Sequence, residues 1–182
     1  MILAAVTLMA SARQPERGYR GFAEWNNSIT SYEFYYWTGE KSETCYFSGI
    51  STSHGFQFNP NFFLGAGLSI EHSRKYNGYI LPVFIQARTD QKFGKYTPFG
   101  DLRAGFSLTD GGGPYLSPSV GYRFNWGRKC GVNISAGLTL KWSHVDEYDI
   151  AQTPDGEGWY VTDVKTRFDS KAFFSFRIGI DF

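Results

Sequence analysis

The stretch Phe173-Phe174-Ser175-Phe176-Arg177-Ile178-Gly179-Ile180-Asp181-Phe182 decides the fold. Read at every second residue, Phe174, Phe176, Ile178, Ile180 and Phe182 form one series, and Ser175, Arg177, Gly179 and Asp181 form the other. Successive side chains of a strand point to opposite faces, so this segment is a strand with one apolar and one polar face. An amphipathic edge strand of a water-soluble sheet carries the same pattern, and the rest of the chain must decide between the two.

The alternation recurs upstream. Gly18 to Asn27 sets Tyr19, Gly21, Ala23 and Trp25 against Arg20, Phe22, Glu24 and Asn26, with Phe22 interrupting the polar series. Thr44 to Phe58 sets Ile50, Thr52, Phe56 and Phe58 against Gly49, Ser51, Ser53, Gly55 and Gln57. Phe62 to His72 and Tyr79 to Thr89 repeat it, and Pro82 in the latter predicts a bulge or irregular pairing, because proline cannot donate to a ladder. Tyr96 to Thr109, Tyr115 to Trp126 and Val132 to Ser143 follow, the last as Val132, Ile134, Ala136, Leu138, Leu140 and Trp142 against Asn133, Ser135, Gly137, Thr139 and Lys141.

Between these runs lie turn signals: Asn59-Pro60-Asn61, Asp90 to Lys95, Asp110-Gly111-Gly112-Gly113-Pro114 and Gly127 to Gly131. Two connections are longer. Ser28 to Glu43 reads as a loop in its middle, with strand extensions at both ends. Asp146 to Asp169 keeps the phase of its neighbours and reads as a tall hairpin, with its tip near Pro154-Asp155-Gly156. The whole is all-β: eight antiparallel, hairpin-connected strands whose connections alternate between long and short.

Composition agrees. A chain of 182 residues suits one domain. The formal net charge of +1 provides no bulk field for nucleic acid. Aromatic residues at 19% and 21 glycines fit strands that sit in an interface and turn tightly. No apolar run in the body approaches the ~20 residues of a spanning helix, a test that membrane barrels escape because half of each strand is polar. Met1 to Ala12 reads as the apolar region of a secretory signal ending in Ala10-Ser11-Ala12, without a basic residue before it, so residues 1–12 are expected to be a signal peptide shortened at its start, and 13–182 the barrel domain.

The closing Phe182 resembles the C-terminal strand of bacterial outer-membrane β-barrel proteins. Gly18-Tyr19-Arg20-Gly21-Phe22, Ser53-His54-Gly55-Phe56-Gln57-Phe58-Asn59-Pro60 and Pro118-Ser119-Val120-Gly121-Tyr122-Arg123-Phe124 are similar to segments of small barrels of the OmpA/OmpX type, the uncharacterised "porin family" proteins. The resemblance spans roughly residues 13–182. It implies an eight-stranded up-and-down transmembrane barrel in the bacterial outer membrane. It also implies a lipid environment that includes lipopolysaccharide, and recognition of the last strand by the barrel-assembly machinery. It implies little chemistry.

On that reading the apolar series faces lipid. The turns at residues 59–61, 90–95 and 127–131 face the periplasm, and aromatic girdles form from Tyr96, Trp126 and Phe182 at that end and from Tyr79, Tyr115 and Trp142 at the other. The polar series lines the lumen. Its charges are mixed in sign: Glu24, Glu71 and Asp101 against Arg20, Arg88, Arg103, Arg123, Lys141 and Arg177, with Asp181 as a further acid. Unpaired buried charge is costly, so these should neutralise one another.

Function is then expected from the outer connections, with their aromatic run Tyr32, Phe34, Tyr35, Tyr36 and Trp37 and the group Asp155, Glu157 and Trp159. A structural or adhesive role toward an extracellular protein or glycan is the first reading, for a monomer with no cofactor. An outer-leaflet lipid-modifying enzyme is the second, and a soluble lipocalin-like barrel the third. For the enzyme, Ser53-His54, His72-Ser73 and Ser143-His144 are adjacent in sequence, so the two members of each pair point to opposite faces of a regular strand and cannot form a dyad; no enzyme is expected. Cys45 and Cys130 are placed at opposite ends of the barrel, on the order of 25–35 Å apart, too far for a bridge. Asp146-Glu147-Tyr148-Asp149 and Asp155-Gly156-Glu157 suggest calcium only weakly, because EF-hand spacing is absent.

Overall fold

Nine strands carry the chain in the computed structural model, which describes residues 17–36, 39–73, 75, 77–91, 97–109, 112–126, 130–152 and 159–182. They are β1 (Gly18–Tyr36), β2 (Gly39–Asn59), β3 (Phe62–Ser73), β4 (Gly78–Ile80), β5 (Pro82–Asp90), β6 (Thr97–Ser107), β7 (Gly113–Trp126), β8 (Cys130–Gln152) and β9 (Trp159–Asp181). Strands β4 and β5 are one stave broken at Leu81, and both pair with β3 in one register, Glu71 opposite Ile80 and Leu68 opposite Val83. The break falls beside Pro82, where the alternation predicts an irregularity. Leu81 stays bonded through its N–H to Thr109 Oγ1 at 3.0 Å and its carbonyl to the Leu108 N–H at 2.9 Å.

The ring closes. Each stave pairs antiparallel with the next, and β1 also pairs with β9, from Phe22 opposite Asp181 to Ile29 opposite Phe174. Eight staves therefore leave no open sheet edge around the wall, which removes the liability of an unpaired ladder. The bond pair between Gly21 and Phe182, at 2.8 and 3.0 Å, finishes the seam.

Period-2 patterning decides what faces where. On β9, Phe173, Ser175, Arg177 and Asp181 are buried, while Phe174, Phe176, Ile178, Ile180 and Phe182 are exposed. The same division runs around the wall, and Val120 at 71%, Ile50 at 64% and Ile85 at 62% exposure stand clear of any packing. Monomers in water seldom expose a contiguous apolar patch above a few hundred Å². A closed barrel with apolar residues outside and charged residues inside has the polarity of a transmembrane β-barrel. The lipocalin-like arrangement, with the apolar series inside, is not the one found.

Three expectations need correction. Tyr115, assigned to the outer girdle, is 6% exposed and points inward, where its ring lies 6.2 Å from that of Phe84. It shares the phase of Ser117 and Ser119, which is the inward one. Of the other girdle residues, Tyr79 and Phe182 are exposed on the outer face, and Trp142 is half-buried in the outward phase; Tyr96 and the side chain of Trp126 lie outside the described residues. Asp90, read as the start of a turn, ends β5 and is fully buried. Residues 28–43, read as a loop in the middle, are strand to Tyr36 and again from Gly39.

Candidate functional site

The lumen is filled in layers. Nearest the short turns sits an ionic chain built from the starts and ends of strands. Asp90 accepts from Arg20 at 2.5 Å and from Arg88 at 2.8 Å. Asp181 accepts from Arg20 at 3.1 Å and Arg123 at 2.8 Å, and from the Asn133 amide at 2.8 Å. Gln57 and Asn133 accept one further bond each, from Arg20 and Arg88. Three guanidinium groups thus share two carboxylates, and one nitrogen each of Arg20 and Arg88 has no hydrogen-bond acceptor among the described residues. Aromatic faces hold this surplus cation. Phe22 lies under Arg20 at 4.7 Å and under Arg88 at 5.0 Å, and Phe99 lies 3.5 Å from the Arg88 guanidinium carbon. The negative face of a ring attracts a desolvated cation, which is why Phe22 occupies the polar series.

A second layer lies above. Arg103 bridges Glu24 and Asp101, the latter at 3.2 Å, and Arg177 stands 3.5 Å from Asp101. Gln86 donates to Asp101 and accepts from Ser53. Ser117 and Ser119 accept from Arg177. Phe84 lies under Arg103 at 5.0 Å. In a medium of low dielectric such pairs attract strongly but also lose hydration, so their net contribution to stability is small; removing one member is what costs.

Above these, Glu71 accepts from Ser28 at 3.2 Å and Ser69 at 3.3 Å. Glu71 and the buried Lys141 line one cavity of about 10 Å³, enough for about one water. The last layer is apolar: Cys45, Phe47, Ile80 and Phe173 form a buried cluster, with the Phe47 and Phe173 rings edge to face at 5.6 Å. Water in transit would have to cross both ionic layers and this apolar cap.

All eight lumen charges inferred from the pattern, Glu24, Glu71, Arg88, Asp101, Arg103, Arg123, Lys141 and Arg177, face inward. Four of them, Glu24, Asp101, Arg103 and Arg177, join in the second layer, and Arg88 and Arg123 join the first. Asp90 and the inner aromatics were missed. Asp90 lies two residues after Arg88 on the same phase, so extending the alternation by one step would have found it.

The second feature is at the other end. The β1–β2 ladder runs from Gly18 opposite Gln57 to Tyr36 opposite Gly39. Its β2 strand last meets β3 at Ser48 opposite His72. The β8–β9 ladder runs to Gln152 opposite Trp159, whereas β8 last meets β7 at Lys141 opposite Tyr115. Both hairpins therefore continue beyond their barrel partners by on the order of 30 Å, at ~3.3 Å per residue. They are neighbours through the β1–β9 pairing, whose ladder ends at Ile29 opposite Phe174. Tyr32, Phe34, Tyr35 and Tyr36 lie on the first hairpin and Trp159 on the second; their side chains, and Trp37, Asp155 and Glu157 entirely, lie outside the described residues. The same holds for the acidic side chains weighed for calcium between Asp146 and Glu157. Among the described residues no group of three His, Cys, Asp or Glu could hold a metal ion.

The three histidines face outward. Ser53, Ser73 and Ser143 are buried on the opposite face of their strands, so none of the adjacent pairs meets. His54 instead bonds the Tyr19 hydroxyl through Nδ1 at 2.5 Å and the Thr52 hydroxyl through Nε2 at 2.9 Å. No carboxylate joins this exterior cluster among the described contacts, so nothing charged orients the imidazole. Cys45 and Cys130 are both free, the first buried and the second exposed.

No family model matches the chain, and no curated protein matches it. Among solved structures, the crystal structure of the outer membrane protein OprG from Pseudomonas aeruginosa is similar to it, with 10% sequence identity and a TM-score of 0.48 over 94% of this chain and 98% of that one. The barrel assignment rests on the closed ring of strand pairings, not on that likeness.

Proposed function

We propose that this protein is a non-conducting barrel of the bacterial outer membrane that presents two adjacent tall hairpins for adhesion to an extracellular protein or glycan. The observation that carries this reading is a contrast within one molecule. The lumen is filled from the ionic chain at Asp90 and Asp181 to the apolar cap at Phe47 and Phe173, while β1–β2 and β8–β9 extend past the wall on one side. A filled barrel of eight staves has no room for a solute path. Long outer elements on a rigid scaffold are where binding residues concentrate. The short connections from β2 to β3 and from β7 to β8 then face the periplasm, as in barrels with short periplasmic turns and long outer loops. The test is adhesion of cells producing the wild type or a variant whose residues 32–43 are replaced by Asn-Gly, a two-residue hairpin turn. Binding to protein- and glycan-coated surfaces should fall to the level of cells lacking the protein. Equal binding by a variant that remains heat-modifiable in the membrane contradicts the reading.

A further inference from the structure

The outer wall carries a groove with a volume of about 540 Å³, a size within the range of about 300–1,000 Å³ typical of small-molecule sites. It crosses β5 to β9 in the half nearer the short turns. Its walls are Val120, Tyr122, Ile134 and Phe176, and its floor is formed at Gly100 and Ala136, where the outer series has almost no side chain. Among the described residues none that lines it is charged; Ser135 is buried on the inward face, the Tyr122 ring is exposed, and Thr89 and Gln91 sit at the end of β5.

Gly100 is the unusual residue. Most glycines of the wall are required by space: a Cβ at Gly49 or Gly105 would lie 1.9 Å from a carbonyl oxygen of the neighbouring strand, and at Gly121 2.2 Å. At Gly100 an added Cβ would meet only Thr89 Cγ2, at 3.5 Å, an ordinary contact, and the backbone there needs no left-handed conformation. Glycine inside a strand weakens it through entropy and lost packing. A glycine where a side chain fits therefore keeps open the space that the side chain would fill.

We infer that this groove is a binding site for one acyl chain of a phospholipid in the leaflet at the short-turn end. The inference rests on the membrane reading of the barrel. The groove is continuous with the exposed apolar belt, so its surroundings are hydrocarbon. Thr89 and Gln91 lie at its β5 end, which orients an amphiphile with its chain along the groove and its headgroup toward that end.

The experiment uses the full chain refolded into dioleoyl phosphatidylcholine vesicles that contain phosphatidylcholine spin-labelled near the end of one acyl chain. Electron paramagnetic resonance counts immobilised chains per barrel for the wild type, Gly100→Leu and Ala104→Leu. Ala104 is an exposed outward residue of the same strand that does not line the groove. Gly100→Leu should lose an immobilised chain that the wild type and Ala104→Leu retain, with all three showing the same gel shift between boiled and unboiled samples. Equal counts in the wild type and Gly100→Leu overturn the inference, as does an equal loss in Ala104→Leu. Loss of a cross-linked dimer in Gly100→Leu at an unchanged lipid count assigns the groove to a second copy and also overturns it. A wild type that stays out of the vesicles defeats the membrane reading itself, and is recognised by the absence of any immobilised lipid.

Discussion

The ring of Phe182 lies over the bare backbone of Gly21, and the two residues exchange both main-chain hydrogen bonds, at 2.8 and 3.0 Å. A Cβ on Gly21 would reach 2.7 Å from that ring and 3.2 Å from His54 Nδ1. This contact ends the seam between β1 and β9.

Glycine substitutions should follow a graded order. At Gly21 the obstacle is the far end of an exposed ring, which can swing aside, so Gly21→Ala should cost under about 1 kcal/mol. At Gly105 the obstacle is backbone, 1.9 Å from the Val83 oxygen and 2.6 Å from Phe84 Cα, so Gly105→Ala should cost about 1–3 kcal/mol, as overpacking does. Gly100→Ala should be neutral or stabilising. Urea unfolding of the three refolded variants checks the order, and a Gly105→Ala midpoint equal to the wild type contradicts it.

Asp181 serves Arg20, Arg123 and Asn133 at once, all in a buried layer. Asp181→Asn leaves Arg123 without its carboxylate and Arg20 with Asp90 alone. The expected loss is about 3–5 kcal/mol, the range for a buried pair that loses one partner. A loss below about 1 kcal/mol would show that water reaches this layer.

Leu138 and Ile178 are exposed on the outer face of β8 and β9. Leu138→Arg and Ile178→Arg should each cost about 2–4 kcal/mol near the bilayer midplane. Thr139→Arg enters the lumen beside Lys141 and should depend on the local charge instead. Refolding titrations in which both outer variants match the wild type would reverse inside and outside.

The thiols should react differently. Cys130 is exposed and Cys45 is sealed in the apolar cap with Phe47, Ile80 and Phe173. A maleimide should label Cys130 in the folded barrel and Cys45 only after unfolding. A native bridge between the two, seen by mass spectrometry, contradicts the strand order.

The strands were legible because period-2 alternation is a local signal, and the two faces of β9 read directly from Phe174 to Phe182. The inner aromatics were not. Phe22, Phe63, Phe84 and Phe99 are buried inside the barrel, and by residue type they are indistinguishable from Phe106 or Phe124 on the outside. Their place follows from phase and from the arginines that need a ring beneath them, a contact between distant strands. The middle of the first long hairpin was misjudged for a different reason. Asn, Ser and Gly residues between 26 and 49 resemble a loop by composition, yet the cross-strand register continues through them to Tyr36 and Gly39. The groove at Gly100 was invisible, because a glycine in a strand shows nothing of what surrounds it.

The central claim is a lipid-facing barrel sealed by its own side chains, and solute efflux from vesicles tests it most directly. Vesicles loaded with potassium iodide should carry the refolded wild type, with insertion established by the gel shift between boiled and unboiled samples. Iodide efflux should then be no faster than from protein-free vesicles. Efflux that scales with the amount of inserted wild type would contradict it, because no continuous water path can coexist with the Arg103–Glu24 layer and the Phe47–Phe173 cap.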